Sequence, residues 1–157
     1  MKAIVRGVSN SFEKALASYF GSGPTNVDEA KVQHSAYVSK LEELGLSVNF
    51  LSSDSNYPDC CFVEDHAVIA GNSALITNAG HDSRLGEKVV VQEALEKDLE
   101  LQFMPSEARM DGGDVLQFGD KFLVGHSRRT NKEAIECLKE FVTSRGFGLH
   151  VIEVPKE

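Results

Sequence analysis

Three carboxylates stand close together in the stretch PDCCFVEDHAV, from Pro58 to Val68: Asp59, Glu64 and Asp65. An ionised carboxylate offers only acceptors, in one plane, and that matches the fork of N–H donors on a guanidinium or amidinium group. Two arginines, Arg84 and Arg129, carry the complementary fork and would suit a carboxylate at the other end of the same ligand. Together these five residues describe a site for an arginine-like molecule. Plainer readings stand beside this one. Glu64-Asp65 would also serve as a solvent-facing turn between strands, and Arg129 as a loop arginine paired with local acids. A metal is the competing use of the acids, with His66 and His126 as nitrogen donors, but no HxxH or CxxC spacing accompanies them. The DGGD run, Asp111 to Asp114, lacks the further oxygen ligands of a calcium loop.

Attack on a guanidinium carbon calls for a soft nucleophile with an acid–base histidine in reach. The three cysteines are poor candidates. Cys137 falls on the apolar stripe of a helix and reads as core. Cys60 and Cys61 adjoin the acids, whose charge raises a thiol's pKa and suppresses the thiolate. His34 lies on an apolar stripe too, and reads as a packed boundary histidine.

The chain that must position these residues has 157 of them, enough for one domain with a real core, and its 41% apolar and 25% charged fractions are those of a globular protein. A net charge of −8 argues against nucleic acid or an anionic membrane as partner and suits a small cation. MKAIVRGV is too short an apolar run for a signal peptide, and no stretch has the length of a membrane span. Three cysteines, two of them adjacent, make a poor disulfide framework, so a reducing, cytoplasmic setting is expected.

Periodicity supplies the elements. Lys2 to Val8 alternates as a strand, and Ser11 to Phe20 has helical spacing with Ser11 as its cap. Asn26 caps a helix with Ala30, His34, Tyr37, Val38, Leu41 and Leu44 on one face, ending at Gly45; a strand from Leu46 to Phe50 follows. Strand, turn and strand then run from Phe62 to Thr77 about Gly71-Asn72, with a helix from Arg84 to Lys97 and a strand from Leu99 to Met104. The pattern returns with strands from Asp114 to Gly125 about Gly119-Asp120, a helix opened by Thr130 and ended by Gly146, and a strand from Leu149 to Val154. The two hairpin turns lie about 48 residues apart, a period that signals repeats needing neighbours to bury their faces. The predicted fold class is α/β: a partial α/β propeller of about three ββαβ units, at 2–54, 58–105 and 110–155, within a single domain of 1–157. An α/β sandwich on one mixed sheet is the alternative. Glu64-Asp65 and Asp111 to Asp114 both open a hairpin; Arg84 and Arg129 both stand where a hairpin gives way to a helix.

Four motifs carry a more specific likeness. PDCCFVEDHAV, Ser83-Arg84, MDGGDV from Met110 to Val115 and RRTN from Arg128 to Asn131 resemble dimethylarginine dimethylaminohydrolase, of the guanidine-modifying amidinotransferase superfamily. The resemblance implies a pentein-like, five-bladed propeller of ββαβ units. It implies cofactor-free hydrolysis of Nω-methylated arginine to citrulline and methylamine through a covalent cysteine intermediate. On it, Asp59, Glu64 and Asp65 bind the guanidinium, Arg84 and Arg129 hold the amino-acid end, and Asp111 supports the catalytic histidine; Leu16 matches a leucine of the lid region. The family's histidine and cysteine are expected beyond Glu157, with His150 a decoy within the last strand. The chain is therefore expected to be the N-terminal part of such an enzyme, inactive alone, or else a standalone binding module of the same fold. Its open blade faces are expected to make it a homo-oligomer.

Overall fold

The computed structural model of the protein describes residues 1–16 and 25–155. The chain divides into two compact units, Met1–Val63 and Glu64–Glu157.

In the first unit, β1 (Lys2–Arg6) pairs in parallel with β2 (Ser47–Leu51), from Lys2 opposite Ser47 to Arg6 opposite Leu51, with α1 (Val27–Glu43) as the crossover. Asn26 caps α1 by accepting from the N–H groups of Asp28 and Glu29. Past the helix, Gly45 takes a φ of 83°, the left-handed turn that glycine adopts at least cost. The apolar stripe of α1 reaches only half-burial at Ala30, His34, Val38 and Leu41, while Tyr37 and Leu44 are exposed. His34 makes ring contacts with Tyr37 and Phe50, a boundary position.

The helix expected from Ser11 to Phe20 does not form over its described part. Phe12–Lys14 is a single 3-10 turn, and Ala15 leaves it at ψ 153°. Ser11 makes no cap; its hydroxyl donates to the Ser55 carbonyl and meets the Ser9 hydroxyl. Short hydroxyl side chains compete in this way with a helix's own hydrogen bonds. Residues 17–20 of that expected helix lie outside the described residues.

The second unit holds two copies of one plan. β3 (Ala67–Ala70) and β4 (Ser73–Ile76) form an antiparallel hairpin, α2 (Lys88–Leu95) crosses over, and β5 (Glu100–Phe103) returns parallel to β4. β6 (Val115–Phe118), β7 (Lys121–His126), α3 (Lys132–Thr143) and β8 (Gly148–Glu153) repeat it. The hairpins turn on Gly71 (φ 61°) and Gly119 (φ 60°). Three boundaries differ from expectation, all next to the candidate site. Residues 62–66, read as the start of a strand, contain a 3-10 turn, Val63–His66. The helix expected from Arg84 begins only at Lys88, after a separate 3-10 turn at Asp82–Arg84. Asn131, not Thr130, caps α3, accepting from the Ala134 N–H. Thr130 is instead buried, with its hydroxyl committed to Asp114.

One apolar core fills this unit. Val68, Ala70 and Leu75 from the first hairpin, Phe122 and Val124 from β7, and Ile135, Leu138, Phe141 and Val142 from α3 meet around Met104 and Met110. The α3 stripe is thus spent inside the unit.

Candidate functional site

The 3-10 turn Val63–His66 sends three consecutive side chains different ways: Glu64 to solvent, Asp65 to a shielded position, His66 into the interior. The turn is anchored from the residue after β4, where the Thr77 hydroxyl donates to the Asp65 carbonyl at 2.6 Å. The Asp65 carboxylate then has both oxygens engaged. Oδ1 accepts from the Gly113 N–H at 3.0 Å, and Oδ2 from Arg84 Nη1 at 2.5 Å.

Arg84 comes from the second 3-10 turn and is buried. Its Nε and Nη2 donate to Glu87 Oε2 at 3.1 and 2.9 Å, and the same oxygen lies 2.9 Å from His66 Nε2. Burial opposes the guanidinium charge, but the hydrogen bonds and charges of Glu87 and Asp65 outweigh it, so the pKa is raised and Arg84 stays protonated. Three Arg84 nitrogens thus donate to two protein carboxylates.

The MDGGDV motif supplies the facing side. Asp111 Oδ1 accepts from the Gly80 N–H at 2.7 Å and Oδ2 from Arg129 Nη1 at 3.3 Å. Burial pushes the Asp111 pKa upward, with the Asp65 charge adding to it; the Gly80 N–H, Arg129 and Arg84 pull the other way. Glu64 behaves alike. Though partly open to solvent, its carboxyl is crowded enough that burial raises its pKa, and Asp65 raises it further against its own backbone hydrogen bond, Arg84 and His66.

Arg129 is presented by a turn that Asp114 clamps: Asp114 Oδ2 accepts from the Ser127 and Thr130 hydroxyls, both at 2.6 Å. Ser127 Oγ accepts in turn from the N–H groups of Arg129 and Thr130. Two glycines permit the close approaches. A Cβ on Gly112 would lie 2.1 Å from the Glu64 carbonyl oxygen, and one on Gly80 would lie 2.4 Å from the Arg129 carbonyl oxygen.

Glu64, Asp65, Arg84, Asp111 and Arg129 therefore share one electrostatic cluster in the second unit. Asp59 and Leu16 meet within the first unit, where the buried Asp59 carboxylate accepts from the Leu16 N–H at 3.0 and 3.3 Å. Sequence reasoning missed Glu87 and gave His66 a different role. The Arg84-x-x-Glu87 spacing was the available signal, since residues three apart in a tight turn or helix face each other. Among the described residues no three metal-ligating side chains converge, and no helix is long and apolar enough to cross a membrane.

Carboxylates and arginines placed at the starts and ends of ββαβ units belong to the α/β propeller class. The chain superposes on a dimethylarginine dimethylaminohydrolase from Pseudomonas aeruginosa, solved as a mutant with citrulline, at a TM-score of 0.93 and 28% identity, covering 98% of this chain and 61% of that one. The N-terminal domain of ArgZ, a cyanobacterial arginine dihydrolase, shares the fold at a TM-score of 0.85 and 13% identity. The chain has the pentein-like fold, in about three repeat units.

The particular family follows from sequence. The model of eukaryotic N,N dimethylarginine dimethylhydrolase matches residues 7–156, and the chain belongs to the dimethylarginine dimethylaminohydrolase family. It is 32% identical over 155 residues to N(G),N(G)-dimethylarginine dimethylaminohydrolase of Streptomyces coelicolor, covering 98% of this chain and 59% of that protein. With the Pseudomonas aeruginosa enzyme it shares 28% over 136 residues, 85% of this chain and 54% of the relative. The chain thus spans a little over half the length of these relatives.

Proposed function

We propose that this chain binds the guanidinium of an arginine derivative, of the Nω-methylated class, as the substrate-binding part of an enzyme that releases citrulline and methylamine. The observation that carries this reading is the cluster of Glu64, Asp65 and Asp111 with Arg129, assembled on the family's fold. Burial raises the pKa of two of its three carboxyls, Glu64 and Asp111, and a bound guanidinium would act against that shift. Asp59, tied to the backbone of Leu16 in the first unit, is likewise proposed as a guanidinium-binding residue. Arg129, a third of its side chain exposed, is proposed to meet the amino-acid end. Arg84, which also holds Asp65, is proposed to meet that end together with Arg129. Asp111 is proposed to support the catalytic histidine expected from the resemblance.

A binding role without turnover within these residues is favoured by the thiols. Cys60 is fully buried, and the Cys137 pKa is pushed up by burial and by Glu140. A thiolate is the nucleophilic form, so neither thiol is set up to attack. We further propose that 1–157 is a single domain, that it works in the cytoplasm, and that it self-associates. The purified protein is expected to release no citrulline from dimethylarginine. Release that is lost on replacing Cys60, Cys61 or Cys137 would overturn the binding-only assignment.

A further inference from the structure

Four side chains behind the candidate site close a ring that the guanidinium reading does not account for. Asp65 and His66 are neighbours in the chain, yet Asp65 faces the site and His66 faces inward. Their side chains are rejoined from the other side: Asp65 Oδ2 to Arg84 Nη1 (2.5 Å), Arg84 Nε and Nη2 to Glu87 Oε2 (3.1 and 2.9 Å), and Glu87 Oε2 to His66 Nε2 (2.9 Å). His66, Arg84 and Glu87 are all nearly inaccessible to solvent. A single carboxylate oxygen, Glu87 Oε2, collects three of these donors.

We propose that Glu87, steadied by His66, is a positioning residue: it orients the Arg84 guanidinium so that Nη1 sets the Asp65 carboxylate for the ligand. The assignment rests on the guanidinium-binding reading for its functional meaning, but its geometry stands independently. Arg84 has one fork edge on Glu87 and another donor on Asp65, so rotation that frees Asp65 must also break the bonds to Glu87. With Nε and Nη2 converging on the one oxygen Glu87 Oε2 and Nη1 on Asp65, the planar guanidinium is restricted in direction as well as distance. The share of His66 is carried by Nε2, because Nδ1 is buried with no hydrogen-bond partner among the described residues. A glutamine at position 66 carries an amide N–H that can donate to Glu87 Oε2 in place of Nε2, along with a carbonyl oxygen in the same buried space. His66→Gln should therefore preserve the ring, whereas His66→Leu should cut it.

The backbone supplies a reporter. The Gly113 N–H donates to Asp65 Oδ1 at 3.0 Å, so its amide resonance reads the carboxylate's position without any ligand. Glu87→Gln and His66→Leu are expected to move the Gly113 amide signal and to weaken dimethylarginine binding about tenfold, as one charge-assisted bond is worth. His66→Gln is expected to restore both. A purely structural role would lower the unfolding temperature while leaving the Gly113 signal of the folded protein in place, and that result would overturn the proposal. Should Glu87→Gln not fold, the His66→Leu and His66→Gln pair decides in the same way. Absence of ligand binding by the unaltered protein would count against the guanidinium reading alone, since the Gly113 signal still tests the ring.

Discussion

At the scale of single residues, the site concentrates negative charge where water is partly excluded. Burial is the first cause of the raised pKa at both Glu64 and Asp111, and Asp65 adds to each. A cation favours the ionised form, so affinity for a guanidinium ligand should fall on acidification, beginning above the usual carboxylate range. The ligand-free fold responds with the opposite sign. Groups whose pKa is higher folded than unfolded contribute most below their unfolded values, and that contribution is lost as pH rises through the folded ones. Titrations with dimethylarginine between about pH 5 and pH 8, set beside unfolding temperatures, should show this opposition. In Glu64→Gln combined with Asp111→Asn, both dependences should flatten. An affinity that rises toward acid pH would contradict the account.

At the scale of elements, the two complete repeats place their polar residues by short 3-10 turns at each hairpin's entrance, Val63–His66 and Gly112–Asp114. The sequence made the repeat legible, because the glycine turns and the alternation of period two and period 3.6 recur at one spacing. It did not make the turns legible. Phe62 and Val63 read as strand because their apolar character is the same in either conformation, and only the bonds made by Asp65 and Thr77 decide. Arg84 was legible as a site residue, whereas its partner Glu87 is recognised only once both are buried together. The helices differ. The apolar stripe of α1 is much weaker than that of α3, and no residue of α1 is buried while five of α3 are. Leu138→Ala, which opens a cavity in the core, should cost about 2–5 kcal/mol. Leu41→Ala, at a half-buried position, should cost about 1 kcal/mol or less by chemical denaturation. Equal costs would mean that the α1 stripe is covered in solution.

At the scale of the whole molecule, the exposed strands retain apolar side chains. Leu116 and Phe118 of β6 are 60% and 76% exposed, and Phe103, Val151 and Ile152 are more than half exposed. Apolar surface of this kind is commonly covered by an interface, and a symmetric pair of copies is the simplest closed one. Light scattering over a concentration series should show self-association that Phe118→Lys weakens; a monomer at every concentration would remove that proposal and leave the site untouched. The central claim, that the carboxylate cluster reads a guanidinium, is tested most directly by comparing dimethylarginine binding to the unaltered protein and to Asp65→Asn at neutral pH. Binding in the millimolar range by the unaltered protein, weakened about 10- to 100-fold by Asp65→Asn as loss of a charge-assisted bond requires, is the expected result. Equal affinity of the two proteins, or equal affinity for dimethylarginine and uncharged citrulline, would contradict it.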